Sequence, residues 1–375
     1  MTAGQVRFDT GPLGDGTLFA APQAVIRADT AQGVAPALAA MQAAVGRGCW
    51  LAGYLSYELG YALIPRLAGR MPAGRAMPLI LMGVFDGPRP APPLPGPAGR
   101  IGPARPLWDR ARYDAAIAAV HRLIESGDTY QINLTFPMEA EAEGAPLELY
   151  AALAARQPVP EGAFVDLGGP PVLSRSPELF FAVDGQGRIT TRPMKGTAAR
   201  AASPVQDAAA ARSLRLSDKN RAENLMIVDL LRNDISRICL PGSVTVPELF
   251  HVETYATVHQ MVSTVQGQLQ PDVGLAQILG ALFPCGSITG APKIRSMEII
   301  ADLEAAPREV YCGAIGWVDP AGPMRFSVAI RSPWLAASDR LRLNVGGGIV
   351  HDSQAASEWE EALCKAAFLD LTPRG

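Results

Sequence analysis

The sequence predicts an α+β protein or a complex α/β sandwich, and three observations carry that prediction. Strand-like segments that read as antiparallel are mixed with helices and follow no regular βαβ period, which argues against a Rossmann-type sheet. A chain of 375 residues allows one large α/β unit or two or three domains, and is long enough to bury a substantial core. Apolar residues make up 48% and charged ones 18%, a balance that excludes a disordered chain.

The elements follow in order. Residues 1–85 form a first portion that packs on the rest, with an Ala-rich helical stretch from Val34 to Val45. The apolar, aromatic run CWLAGYLSYELGYAL then reads as strand and turn. Residues 86–106 hold 12 Pro or Gly in 21 positions, so they neither pair as a central strand nor continue a helix, and read as a surface connection. The unit 107–373 opens with a helix over Tyr113 to Glu125, where Ile117, Val120 and Ile124 recur at helical spacing before Ser126-Gly127. DTYQINLTFPM reads as a strand, and two short strands flank DGQG as a hairpin. Pro204 starts one helix, Ser217 caps the next through Ile235, and another covers 272–282. Pro292 opens a helix ending near Glu304. CGAIGWV, RFSVAIRS and RLRLNVGGGIV are strands, and a last helix begins at Asp352-Ser353.

Composition excludes several functions. A net charge of −3 without basic runs gives no nucleic-acid footprint. No segment reaches the ~18 apolar residues of a membrane span, and MTAGQVRFDTGPLG lacks the basic and apolar regions of an export signal, so the expected location is the cytoplasm. Five scattered cysteines without CxxC, and four histidines without HExxH, argue against zinc.

Lysine usage is more informative. Lysine occurs only at Lys195, Lys219, Lys293 and Lys365, so 29 of the 33 basic residues are arginine. Arginine holds its proton near neutrality, whereas a desolvated lysine can release it and act as a nucleophile. Each retained amine is therefore a candidate for chemistry or for a specific ion contact.

Glu358, Glu361 and Lys365 fall at i, i+3 and i+7, on one helix face; a solvated face with a Glu361–Lys365 pair explains them equally well. Glu223 interrupts the apolar run AENLMIVDLL, and a carboxylate there needs a cation or a donor. Glutamates from two helices suit a hard ion such as Mg²⁺, with structural salt bridging as the other reading. GSITGAPK puts Thr289, Gly290 and Ala291 at an expected helix start, where free N–H groups favour an anion. NVGGGIV brings Gly346 and Gly347 close to a ligand, and Arg331 in SVAIRS could clamp a carboxylate. Glu178 in SPELFF and Lys195 in TRPMKGT suit an acid paired with a nucleophile or base, or else a cross-strand ion pair.

In chain order, YQINLTFP, SPELFF, TRPMKGT, DKNRAENLMIVDLLRNDISRI, VHQMVSTV, FPCGSITGAPKIRSMEII, YCGAIGW, FSVAIRS and NVGGGIVHDSQAASEWEEALCKA resemble the chorismate-utilising enzymes. That family includes anthranilate synthase, the isochorismate and salicylate synthases, and aminodeoxychorismate synthase component I. The resemblance spans about residues 110–370 and implies one α/β unit of two packed β-sheets flanked by helices, with chorismate and Mg²⁺ in a cleft. Gln131 stands where the isochorismate and salicylate synthases carry a water-activating lysine, which disfavours hydroxylation. Lys195 stands at the KGT position that is lysine in aminodeoxychorismate synthases and typically alanine in anthranilate synthases. The implied chemistry is attack by Lys195 on C2 of chorismate while Glu178 protonates the departing 4-hydroxyl. Ammonia then enters at C4 and gives 4-amino-4-deoxychorismate, on the route to p-aminobenzoate and folate.

By the same resemblance, Glu223 and Glu361 bind Mg²⁺ with Glu358 in or near its shell. Thr289, Tyr311, Arg331, Gly347 and Lys365 hold the carboxylates, with Gly290, Gly346 and Gln131 beside them, and His259 lies against the ring. Burial and nearby cations, Mg²⁺ and Arg192, are expected to free the Lys195 amine of its proton. Met194 and Cys285 depart mildly from the family pattern. Nothing resembles a glutaminase triad, so the ammonia source is expected to be a separate glutamine amidotransferase subunit. Anthranilate synthase component I is the alternative, followed by a non-catalytic chorismate-binding paralogue.

Overall fold

Strands that are apolar and buried along nearly their whole length build two packed sheets, each covered on both faces. In the computed structural model, which describes residues 4–255 and 258–371, strand pairing is antiparallel throughout the described residues. The last two residues of the expected 107–373 unit lie outside them. One sheet of eleven strands runs in the order Gly290–Ala291, Gln131–Glu143, Arg340–Ile349, Trp334–Ala337, Val172–Ser176, Glu161–Asp166, Gln5–Gly11, Gly14–Ala20 and Arg89–Pro90, with two short strands added on Gln131–Glu143. The second, of ten strands, runs Met194–Ala199, Val258–Gln268, Arg188–Thr191, Leu179–Val183, Met324–Val328, Ala314–Val318, Trp50–Leu55, Ile80–Phe85 and Ala24–Ala28, with Thr245–Thr254 added on Val258–Gln268.

The two-residue period of a strand explains how the sheets join. Val6 and Phe8 of one sheet, and Ala52 and Tyr54 of the other, point into one apolar cluster. Phe19 bridges the sheets there, 5.4 Å from the Phe85 ring and 5.9 Å from Trp50. Strands from residues 5–85 thus belong to both sheets, and residues 86–106 add short strands to the first.

Helices cover the outer faces. Ala31–Gly46, Arg110–Glu125, Pro204–Leu216, Asp218–Ser236, Leu275–Leu282 and Lys293–Glu304 lie where the sequence predicts them, and Ser217 accepts the Asn220 N–H as the cap of its helix. Three local readings differ. CWLAGYLSYELGYAL is a strand, Trp50–Leu55, and then a short helix, Leu59–Leu63. The last helix spans Ala355–Ala366, because Ser353 turns back to bond the Glu358 carboxylate at 2.7 Å. Thr289 does not start a helix: Gly286–Ile288 is a tight 3₁₀ turn, and Gly290–Ala291 pairs with Gln131–Ile132 as strand. Among the described residues, no helix is long and apolar enough to cross a membrane.

Candidate active site

A cavity of about 670 Å³ opens between the ends of the sheets and the helices Asp218–Ser236 and Ala355–Ala366. Glu178, Lys195, Glu223, Tyr311, Arg331, Gly346, Gly347, Glu358, Glu361 and Lys365 all line it. Residues far apart in sequence meet here because the Arg340–Ile349 strand pairs along its whole length with Gln131–Glu143.

Lys195 owes its aim to an irregularity. The Met194–Ala199 strand pairs Met194 with Val262 and Thr197 with Gln260, so the register slips between them and Lys195-Gly196 bulge out of the ladder. Such bulges redirect side chains at sheet rims. The Lys195 amine makes no hydrogen bond or salt bridge among the described residues, and burial lowers its pKa, with Lys365 adding to the effect while Glu178 and Glu223 oppose it. Arg192 is not part of this, contrary to expectation: its guanidinium is paired with Glu253.

Glu178 is shifted the other way. It is 4% exposed, and its pKa is pushed up to about 7 by that burial, against the Ser287 hydroxyl that donates to Oε1 at 2.8 Å and the charge of Lys195. An acid that keeps its proton near neutrality and an amine that tends to lose it face the same space, the opposed shifts expected of an acid–base pair.

The glycines explain the approach. A side chain at Gly346 would collide with the Leu134 carbonyl of the neighbouring strand, so this crossing is closed to any other residue. At Gly348 a Cβ would stand 2.7 Å from Gln131 Nε2, so the bare backbone there makes room for that amide, and the Lys195 amine lies within ordinary contact distance at 3.5 Å. Gln131 is buried, and its Nε2 has no hydrogen-bond partner. Lys365 donates to the Gly346 carbonyl at 2.8 Å and pairs with Glu361 at 2.8 Å. Arg331 sits in the left-handed region (φ 50°), a conformation uncommon outside glycine, with its guanidinium free of any protein carboxylate in the described residues. Burial lowers its pKa, so the site holds an uncompensated cation suited to an anion.

Glu223, Glu358 and Glu361 face the cavity from two helices. The Glu223 pKa is raised by burial, then by the charges of Glu358 and Glu361, against Lys195 and Lys219. Burial also pushes Glu361 upward, but Lys365, joined by Lys195 and Lys219, outweighs it and holds the carboxyl below its ordinary value. No three His, Cys, Asp or Glu side chains form a ready-made cage among the described residues. Oxygen donors that repel one another at a cavity wall nonetheless fit an ion such as Mg²⁺, which keeps water and substrate in its shell.

Four expected residues stand behind the wall. Thr289 is fully buried and its hydroxyl is spent on the Cys285 and Gly286 carbonyls, while its N–H serves the 3₁₀ turn, so the expected anion site at a helix start is not formed. Gly290 pairs with Ile132, and Gln131 lies behind Gly348. His259 does not line the cavity: its ring is held by Asp207 at 2.9 Å and Thr254 at 3.0 Å. Conversely, Asn133, Ser287 and Asn344 line it without having been picked as binding residues, and Lys219, one of the four retained amines, lines it as well. Ser287 had a signal, as a hydroxyl inside the buried stretch PCGSIT.

A profile of the chorismate binding enzyme family matches residues 88–370, which contain every candidate residue named above. The chain belongs to the chorismate-binding enzymes. It is 45% identical over 283 residues to an aminodeoxychorismate synthase of Streptomyces griseus, across 76% of this chain and 39% of the relative. Aminodeoxychorismate synthase component 1 of Klebsiella aerogenes is 46% identical over 261 residues, 70% of this chain and 57% of that protein. The chain therefore spans well under two thirds of these curated relatives. Among solved structures, anthranilate synthase component I from Streptococcus pneumoniae TIGR4 matches with a TM-score of 0.73 and 28% identity, covering 86% of this chorismate-binding chain and 80% of its own.

Proposed function

We propose that this chorismate-binding enzyme is an aminodeoxychorismate synthase component I, which converts chorismate and ammonia to 4-amino-4-deoxychorismate. The observation that carries this reading is the Lys195 amine, unpaired and shifted toward its neutral form in the same cavity as Glu178, whose pKa burial pushes up to about 7. Two relatives near 45% identity that bear that enzyme's name support it.

In this reading the neutral Lys195 amine adds to C2 of chorismate, the ring double bond shifts, and the C4–O bond breaks as Glu178 passes its proton to the leaving hydroxyl. Water departs. Ammonia then adds at C4, the double bond shifts back, Lys195 leaves C2 with the electron pair as the neutral amine, and the new C4 ammonium returns a proton to Glu178. Arg331 and Lys365 hold the substrate carboxylates, which places C2 in front of the amine. Glu223 and Glu361, with Glu358 beside them, would hold Mg²⁺, which when bound stabilises negative charge on the ring carboxylate. A glutamine amidotransferase subunit supplies ammonia, a reading supported by the words "component 1" in the Klebsiella relative's name. The product feeds p-aminobenzoate and folate synthesis.

The test is incubation of the chain with chorismate, Mg²⁺ and ammonium, followed by product mass and ultraviolet spectrum. Aminodeoxychorismate retains the enolpyruvyl group, so no pyruvate should be released. Anthranilate with stoichiometric pyruvate would overturn the reading in favour of anthranilate synthase.

A further inference from the structure

Ser287 enters no step above, yet its hydroxyl is the side-chain donor to the Glu178 carboxylate, on Oε1 at 2.8 Å. A hydroxyl has one proton. While that proton is given to Glu178, the Ser287 oxygen can only accept, and Cys285 Sγ lies 3.3 Å from it. The thiol is 3% exposed, and burial, with the neighbouring Glu178 charge, pushes its pKa up to about 12, so it keeps a proton to donate.

The turn that carries this pair is held from three directions. Arg308 Nη1 donates to the Ile288 carbonyl at 3.0 Å, and the Thr289 hydroxyl to that of Gly286 at 3.2 Å. Leu230 fills the space where a Gly286 side chain would stand. Ser287 is therefore placed by the fold rather than by the carboxylate it touches.

We propose that Ser287 is the positioning residue of Glu178, polarised by Cys285: thiol donates to hydroxyl, hydroxyl donates to Oε1, and the transferable proton is carried on Oε2. The proposal rests on the reading of Glu178 as the acid. A carboxylic acid puts its proton on the oxygen that is not accepting a hydrogen bond. As the C4–O bond breaks, the proton leaves Oε2 for the departing oxygen and the negative charge appears on the carboxylate. The Ser287 hydrogen bond, now made to an ion, strengthens at that moment. The other groups facing Glu178 are Lys195 and the Met194 backbone N–H on the bulged strand, Cys285 on the turn, and Cys312. Of these, Lys195 and Met194 act in the same direction as Ser287, so loss of the hydroxyl weakens the stabilisation of the ion without abolishing it.

The sign follows. Deleting a donor to the ionised form raises the pKa of Glu178, and an acid is active while protonated, so the alkaline limb of the pH–rate profile moves up. The experiment follows chorismate consumption in kcat/KM against pH for the whole chain with Mg²⁺ and ammonium. Ser287→Ala should lower kcat roughly 10- to 100-fold, leave KM within about twofold, and move the alkaline limb up by about one pH unit. Cys285→Ala should move it in the same direction by less, and Ser287→Thr, which keeps the hydroxyl, should restore the wild-type limb. Infrared titration of the Glu178 carboxyl, assigned by its loss in Glu178→Gln, reads the same shift without turnover. An alkaline limb and carboxyl titration unmoved in Ser287→Ala would overturn the proposal. If that variant does not fold, Cys285→Ala decides by the same two readouts. A wild-type limb that survives in Glu178→Gln overturns the acid reading itself, whatever the product.

Discussion

At the residue scale, burial alone moves the Glu178 carboxyl and the Lys195 amine in opposite directions, because it disfavours charge on both. Lys195 is the sharper test. Were it a structural cation, Lys195→Arg would keep its role; as a nucleophile it needs an amine that can lose its proton, which arginine lacks. Lys195→Arg should therefore fold and bind chorismate, yet lose C4 amination by at least about a hundredfold. A wild-type rate of aminodeoxychorismate formation would return Lys195 to an ion-pair role. The pH dependence has a stated sign: with the Glu178 pKa near 7, activity should fall as pH rises through about 7, and Glu178→Gln should remove that limb. Both residues were legible in the sequence, Lys195 through the scarcity of lysine and Glu178 through its apolar company. The His259 and Arg192 contacts were not. Each depends on which acidic side chain, Asp207 or Glu253, the fold brings nearest, and chain spacing does not encode that.

At the scale of elements, the Arg340–Ile349 strand and its partner make the floor of the site. NVGGGIV announced close approach, and Gly346 shows the reason, since its backbone leaves no room beside Leu134. Gly346→Ala should cost about 2–3 kcal/mol by urea unfolding, since the obstacle is backbone and cannot turn aside. Gly348→Ala meets the end of a flexible Gln131 side chain instead, so it should keep stability within about 1 kcal/mol and lose activity by pushing Gln131 aside next to Lys195. Unfolding midpoints that reverse this order would refute the argument. GSITGAPK was misread locally because its N–H groups look free in sequence; the 3₁₀ turn takes the Thr289 N–H, and Gly290–Ala291 is drawn into strand with Gln131–Ile132, 159 residues upstream of Gly290. The short Leu59–Leu63 helix was hidden for a related reason, since an aromatic run is equally compatible with a buried strand.

At the scale of the whole molecule, a buried seam ties the early residues to the site. Arg308 pairs bidentately with Glu304, donates to the Asn133 and Ile288 carbonyls, and stacks 4.5 Å from the Tyr57 ring. Arg308→Met leaves Glu304 charged and buried, and should cost about 3–5 kcal/mol by urea unfolding, with activity falling as Asn133 and Ile288 shift. Glu58 accepts the Arg308 backbone N–H on Oε1, while Oε2 has no partner, and burial pushes its pKa up to about 8. The folded state thus holds a proton that the unfolded state releases above roughly pH 4.3, so stability contributed here declines as pH rises from there to about 8. Glu58→Gln should flatten that decline in thermal unfolding between about pH 5 and 8; an unchanged slope would remove Glu58 as its source. The pairing of Gln131–Glu143 with Arg340–Ile349 has a consequence for synthesis on the ribosome. The floor beneath Lys195 cannot exist until nearly the whole polypeptide has emerged, because about 200 residues separate its two halves. A nascent chain carries Lys195 long before the cavity around it exists, and a product truncated ahead of Arg340 would have the amine with no floor beneath it.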